Sequence, residues 1–231
     1  MPAVTASFGG LLLGLLVGLR HAFEPDHLAA ISNLVVETRS ARRGALLGAI
    51  WGLGHTLALV IVGLVMIVAG TALPVSVAAA FECAVAVMLV VLGVLGIRRA
   101  LRDGTTGAPR RHRHGVLEHE HALAAPHVHL GRATFAWRPL AIGLVHGLAG
   151  SGALTAIVFA ELPDTTLRIA YITLFGAGSI AGMGIASGLA GASLGAFGGA
   201  DLRRRLALAA GAVSIVVGIL WGLPFVRALA A

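Results

Sequence analysis

The chain has 231 residues, of which 58% are hydrophobic, only 12% are charged and 32 are glycine, and its mean hydropathy is +0.93. This composition excludes an ordinary soluble domain and indicates an all-α polytopic membrane protein. The net charge of +7 comes from arginines that lie mainly between the apolar segments, so it indicates membrane topology, and we expect no binding to nucleic acids.

Six apolar segments are long enough to cross a bilayer. A transmembrane helix needs about 20 largely apolar residues, and the sequence contains such runs at 7–36, 44–70, 75–97, 138–160, 166–196 and 205–226. Arginine is concentrated after the first, third and fifth runs. By the positive-inside rule these three loops are cytoplasmic, which predicts a bacterial-type cytoplasmic (inner) membrane protein with both termini outside.

The first apolar segment contains the polar sequence RHAFEPDH at residues 20–27. As one helix, residues 7–36 would be about 45 Å long, against a hydrocarbon core of about 30 Å. Pro25 has no backbone N–H and clashes with the carbonyl four residues back. We therefore predict that the helix is broken near Pro25 and that Pro25 begins a new half-helix.

Three side chains of this motif are candidate metal ligands. On an unbroken helix His21, Asp26 and His27 would point in directions about 120° apart, whereas an unwound turn lets them converge. Imidazole with carboxylate suits Ni²⁺, Co²⁺ or Zn²⁺ better than Mg²⁺ or Ca²⁺. The alternative is an internally paired polar cluster that fixes helix packing. We favour the metal site, because the motif has more imidazole than packing requires.

Further candidates lie in later segments. His55, in the sequence GLGHT, is flanked by glycines that allow close helix approach, and it is the fourth predicted ligand. His146, in GLVHG, is equally consistent with a ligand and with a hydrogen-bonded packing residue. The secondary candidates are His146, Ser179 and Glu24. We predict no catalytic residue and no bound cofactor.

The third and fourth segments are separated by an arginine- and histidine-rich loop, residues 98–137. Its composition cannot bury enough apolar surface to fold, so we predict a disordered cytoplasmic tether. It serves either as a weak metal buffer or as an inert linker. Its histidines are His112, His114, His119, His121, His127 and His129.

The two ends of the chain share an internal repeat. A shift of about 125 residues aligns GLRHAFEPDHLAAI with GLVHGLAGSGALTAI and WGLGHT with FGAGSI. His21 then lies over His146, and His55 over Ser179. A unit of three spans re-enters the membrane from the opposite side, so the two copies are predicted to have inverted topology, as in many secondary transporters.

This repeat divides the chain into three parts. Residues 1–97 form the first three-helix repeat, residues 98–137 the loop, and residues 138–231 the second three-helix repeat. The predicted fold is therefore six transmembrane helices in two inverted three-helix repeats, with the first helix broken near Pro25.

The two histidine motifs resemble those of a known family. RHAFEPDHLAAI resembles the His-x4-Asp-His signature of the nickel/cobalt transporter family, and GLGHT resembles its second motif, Leu-Gly-His-Ser/Thr. The nearest match is to short members similar to urease accessory membrane proteins. The resemblance implies a metal permease whose metal-binding positions are His21, Asp26, His27 and His55.

The chain departs from that family in three respects. Glu24 and Pro25 stand where the family has an acidic and then a small residue. Six spans are predicted where longer members have eight. The acidic motifs of the second half in those members are replaced by LVHGLAGSGAL and FGAGSIAGM.

We therefore expect a secondary transporter that moves Ni²⁺, or alternatively Co²⁺, inward by alternating access and uses no nucleotide. Inward movement of a divalent cation gains about 4.6 kcal/mol per 100 mV of inside-negative potential. The alternatives are an exporter of the same fold, a membrane-embedded metalloenzyme and a scaffold without transport. The expected partners are the metal ion and the lipid bilayer, and the sequence is compatible with a homo-oligomer.

Overall fold

The computed structural model describes residues 2–36, 38, 40–103, 111–114, 117–120, 128–130, 133–135, 137–162, 164–197 and 199–230. The described chain is mainly helical. Its helices are α1 (Pro2–His21), α2 (Pro25–Val35), α3 (Ala41–Ala69), α4 (Val75–Asp103), α5 (Trp137–Leu148), α6 (Ser151–Glu161), α7 (Thr165–Phe197) and α8 (Ala200–Ala230).

Four helices, α3, α4, α7 and α8, are long and apolar enough to cross a membrane. Large apolar side chains stand on their outer faces: Ile61 is 57% exposed, Leu189 62% and Leu220 64%. Such faces suit lipid rather than water. These four helices correspond to four of the six predicted spans, and each of the other two spans consists of two shorter helices. The chain is an integral membrane protein.

The break near Pro25 is present as predicted. Helix α1 ends at His21 and α2 begins at Pro25. The intervening turn is closed by two backbone hydrogen bonds, from Phe23 N–H to the Arg20 carbonyl at 2.9 Å and from Glu24 N–H to the His21 carbonyl at 3.0 Å. Glu24 has an extended backbone, φ −67° and ψ 152°, the conformation that a following proline imposes.

A second break, between α5 and α6, was not predicted. Helix α5 ends at Leu148 and α6 begins at Ser151, and between them Gly150 has a φ of +71°. That left-handed conformation is open to glycine at little steric cost. A shift of 125 residues places Gly150 over Pro25, so both breaks occur at equivalent positions of the repeat.

Glycines bring helices of the two halves into backbone contact. Helix α1 packs against α7, α5 against α3, and α4 against α8. At each of these contacts a Cβ on the glycine would overlap a carbonyl of the facing helix. The contacts come in pairs related by the shift of 124 or 125 residues: Gly18–Phe175 with Gly143–Trp51, Leu15–Gly178 with Leu140–Gly54, and Gly93–Gly211 with Gly218–Ala86.

Helix α4 continues through Asp103, past the predicted start of the loop at residue 98. Four short strands follow: β1 (Arg111–His114) pairs with β2 (Leu117–Glu120), and β3 (Val128–Leu130) with β4 (Ala133–Phe135), both antiparallel. His112 lies opposite His119 in the first hairpin. His121 and His127 lie outside the described residues. The cytoplasmic location and the tether role of the loop stay predictions.

We expect Gly143→Val to destabilise the protein. The added side chain would meet the Trp51 carbonyl, which belongs to a helix backbone and cannot rotate away. Overpacking of this kind costs about 1–3 kcal/mol, so the Tm should fall by at least about 2–4 °C. Scanning calorimetry in detergent measures this. Gly199→Ala is the control, because a Cβ there meets nothing within 4 Å; equal Tm values would contradict the packing argument.

Candidate metal centre

Five polar side chains meet beside the first break. His21 is the last residue of α1, Asp26 and His27 lie in the first turn of α2, His55 lies in α3 and His146 in α5. Four of them are buried, with exposures of 3% for Asp26, 1% for His27, 0% for His55 and 1% for His146. The His21 side chain is 15% exposed. A polar cluster thus lies inside an otherwise apolar protein.

Three imidazoles, those of His21, His27 and His55, converge on one point. One ring nitrogen of each lies within 4.8 Å of the others. The Nε2 atoms of His27 and His55 are 3.4 Å apart, which is longer than an ordinary N–H···N or N–H···O hydrogen bond. Two nitrogens bound at about 2.1 Å to a tetrahedral ion are separated by about 3.4 Å. The spacing therefore suits a shared ion better than a hydrogen bond.

Asp26 lies on the side of the His27 ring opposite His55. Its Oδ1 is 3.1 Å from His27 Nδ1, and its Oδ2 is 2.9 Å from His146 Nε2. When His27 Nδ1 donates to Asp26, the lone pair of His27 is on Nε2 and faces His55. This carboxylate–histidine arrangement commonly fixes the tautomer of a metal-binding imidazole.

The four predicted ligands are therefore brought together as two overlapping sets rather than one. His21, His27 and His55 form the first set, and Asp26, His27 and His146 form the second. In the second set, as in the first, one ligand atom of each residue lies within 4.8 Å of the others. His146, a secondary candidate from the sequence, is thus part of the cluster.

The other two secondary candidates lie beside these sets. Glu24 accepts a hydrogen bond from His21 at 2.9 Å between Oε2 and Nδ1, which leaves His21 Nε2 for other contacts. The buried Ser179 hydroxyl lies 2.9 Å from the Phe175 carbonyl and 3.3 Å from the Gly18 carbonyl. Its hydrogen is therefore used for helix packing.

Three buried polar atoms around the cluster lack a hydrogen-bond partner within the described part of the chain. They are His55 Nδ1, His146 Nδ1 and Trp51 Nε1. The Trp51 ring centroid is 5.6 Å from that of His27 and 5.4 Å from that of His146. Buried polar groups normally have partners, and exceptions are often found at functional sites. No motif around Trp51 indicates this position in the sequence.

Two close helix contacts position His55 and His146. A Cβ at Gly147 would overlap the His55 carbonyl, so α5 lies directly against α3 and brings His146 to the cluster. A Cβ at Gly150 would lie 3.8 Å from His21 Cε1, which places the second break against the first.

Glu82 of α4 fixes the second break. It accepts the Gly150 N–H on Oε1 at 2.7 Å and the Trp221 indole N–H on Oε2 at 2.9 Å. A carboxylate that accepts a backbone N–H at the start of a helix satisfies a donor that has no partner within the helix. This role of Glu82 is not visible in the sequence, because nothing local connects residues 82, 150 and 221.

Comparison with known proteins identifies relatives along most of the chain. Residues 8–224 match the family described as high-affinity nickel-transport protein. The chain is 30% identical to the urease accessory protein UreH of Bacillus sp. (strain TB-90) over 179 residues, which cover 75% of this chain and 72% of that protein. No solved structure matches.

Two plant proteins of Arabidopsis thaliana are also similar. Chloroplast protein FOR GROWTH AND FERTILITY 1 is 31% identical over 175 residues, 74% of this chain and 46% of that protein. Chloroplast protein FOR GROWTH AND FERTILITY 2 is 28% identical over 183 residues, 74% of this chain and 44% of that protein. This chain therefore spans less than half the length of either plant protein.

We predict that Pro25→Ala weakens binding of Ni²⁺ although every candidate ligand remains. Alanine supplies the missing N–H and removes the ring clash, so α1 and α2 can join and turn His21 away from His27. Isothermal titration of the purified protein should show an affinity for Ni²⁺ at least about tenfold lower, which is the usual effect of losing a group that orients a metal ligand. Ser179→Ala, which removes a buried hydroxyl bonded to carbonyls, should bind like the parent. Parental affinity in Pro25→Ala would contradict the role of the break.

Proposed function

This chain belongs to the high-affinity nickel-transport protein family, and from that premise we propose that it imports Ni²⁺ across a cytoplasmic membrane as a secondary transporter. Membership confirms the resemblance found in the sequence. It also makes the chain a metal-ion transporter rather than a membrane-embedded enzyme.

The observation that carries the proposal is the convergence of three buried or half-buried imidazoles on one point. His21, His27 and His55 offer nitrogen donors, which suit Ni²⁺ and Co²⁺. Asp26 supplies negative charge next to them and orients His27 through the 3.1 Å contact. Ionisable side chains at bilayer depth are costly and mark ion pathways in many transporters.

We further propose six membrane spans in two inverted three-helix repeats. Helices α1 and α2 together form the first span, and α5 and α6 together form the fourth. Three features support this: the 125-residue shift in sequence, the equivalent breaks at Pro25 and Gly150, and the paired glycine contacts. In transporters of this kind the site lies at broken helices between the repeats, and movement of one repeat against the other exposes it to each side in turn.

The proposed direction of transport follows from the membrane potential. A divalent cation that moves inward gains about 4.6 kcal/mol per 100 mV, so import needs no nucleotide. The arginine distribution supports a cytoplasmic location for the C-terminal end of α4 and the N-terminal end of α5. It supports an outer location for both termini of the chain.

We expect His27→Ala to lose Ni²⁺ transport, because His27 contacts both His55 and Asp26. The measurement is Ni²⁺ uptake into proteoliposomes with an inside-negative potential, where flux should fall at least about tenfold. Ser193→Ala is the control, since its exposed hydroxyl bonds the Leu189 carbonyl of its own helix at 3.0 Å. Parental flux in His27→Ala would contradict the proposed site. Lower Ni²⁺ accumulation in cells that express the parent would instead indicate an exporter.

The topology predicts opposite labelling of two loops. In a Cys83→Ser background, which has no other cysteine, Thr71→Cys should react with a membrane-impermeant maleimide in intact cells. Thr105→Cys, in the arginine-rich loop, should react only after the cells are permeabilised. Labelling of Thr105→Cys in intact cells would overturn the proposed orientation.

A further inference from the structure

His27 belongs to two separate sets of metal-binding side chains. His21 and His55 complete one set, and Asp26 and His146 complete the other. We infer that the transported ion occupies the two sets in turn, one on each side of the His27 ring, and that His146 is a ligand at the second position. This inference rests on the proposed transport function and adds a second site to it.

The two ring nitrogens of His27 face different sets. Nε2 lies 3.4 Å from His55 Nε2, whereas Nδ1 lies 3.1 Å from Asp26 Oδ1. A neutral imidazole has a lone pair on only one ring nitrogen, because the other carries hydrogen. His27 can therefore serve one set at a time. When the ion changes sides, the Nδ1 hydrogen leaves to water and water supplies a hydrogen to Nε2, so the ring holds one hydrogen in either state. The arrangement holds one ion per chain.

The second set is held by a hydrogen bond that an ion can replace. His146 Nε2 donates to Asp26 Oδ2 at 2.9 Å, and the ligand atoms of Asp26, His27 and His146 lie within 4.8 Å of one another. His146 Nδ1 has no partner in the described part of the chain, so it can carry that hydrogen when Nε2 binds an ion.

Exposure and charge give the two positions an order. His21, in the first set, has a side chain that is 15% exposed, whereas Asp26 is 4% and His146 0% exposed by the same measure. The first set offers only imidazoles. The second includes a carboxylate, which offsets the charge of the ion where solvent screens it least. The first set therefore lies nearer the protein surface than the second, and we place it first in the path of the ion.

The transfer also moves the ion between the two halves of the chain. All ligands of the first set come from the first half, whereas His146 lies on α5 of the second half. An ion in the second set bridges the two halves. Passage between the sets is therefore sensitive to movement of one half against the other, which is the movement that alternating access requires.

Three variants separate the two positions. His21→Ala removes a ligand of the first set, His146→Ala removes one of the second, and His27→Ala disrupts both. Titration of the full-length purified protein with Ni²⁺ should give one ion per parent chain. In each of the first two variants the other position still binds the ion, so at least one of them should retain at least about half of the parental affinity, whereas the double variant His21→Ala/His146→Ala should lose at least about 100-fold. Ser193→Ala serves as the control, because its hydroxyl bonds within its own helix.

The transport and spectroscopic results distinguish the two positions. His146→Ala should bind Ni²⁺ but transport it at least about tenfold more slowly. X-ray absorption of the Ni²⁺-loaded variants should show three imidazoles in His146→Ala, and two imidazoles with a carboxylate oxygen in His21→Ala. His146→Gln, whose amide can still donate to Asp26, replaces His146→Ala if the latter is not monodisperse.

The failure of this inference can be told from the failure of the proposed function. If the parent binds and transports Ni²⁺ while the His146 variant transports at the parental rate, the second position is wrong and the proposed function stands. A double variant that binds no more weakly than His21→Ala would likewise overturn the second position. If the parent neither binds nor transports Ni²⁺, the proposed function fails and the inference fails with it.

Discussion

The cluster of histidines and Asp26 forms where the first apolar segment breaks at Pro25. The interruption places the end of α1 beside the start of α2. His21 then lies in the last turn of one helix and Asp26 in the first turn of the next. Helix dipoles favour cationic groups at the C-terminal end of α1, where His21 lies, and anionic groups at the N-terminal end of α2, where Asp26 lies. One proline therefore brings the side chains together and gives them an environment in which a cation and a carboxylate are both stabilised.

The second half of the chain holds this arrangement in place. Lipid provides no hydrophobic force between helices, so close packing and interhelical hydrogen bonds must stabilise the assembly. Glycines supply the close packing. Hydroxyls supply bonds between the halves, from Thr56 to the Gly176 carbonyl at 3.0 Å and from Ser214 to the Leu89 carbonyl at 2.8 Å. The first half thus contributes most of the candidate ligands. The second half contributes His146 and the helices that pack against the first half.

Local rules account for the features that the sequence predicts. The break at Pro25 follows from the covalent structure of proline, and the six apolar segments follow from composition. The break at Gly150 was not predicted from the sequence, because one glycine among 32 does not by itself indicate a helix break. Only the alignment of Gly150 with Pro25 in the repeat could have indicated it. The contact of Asp26 with His146 depends on how α5 packs against α3, a tertiary relation that spacing along the chain does not encode. The hairpins between α4 and α5 lie where composition predicted no folded structure.

Trp51 gives the candidate metal centre an optical signal. Its indole is fully buried and lies within 5.6 Å of the His27 ring and 5.4 Å of the His146 ring, between centroids. Paramagnetic ions quench indole fluorescence at such short range, whereas a diamagnetic ion such as Zn²⁺ lacks that quenching mechanism. Of the other two tryptophans, Trp137 can be replaced by phenylalanine, whereas Trp221 donates its indole N–H to Glu82 and is kept. The protein therefore contains its own reporter for the arrival and departure of an ion, without an attached dye.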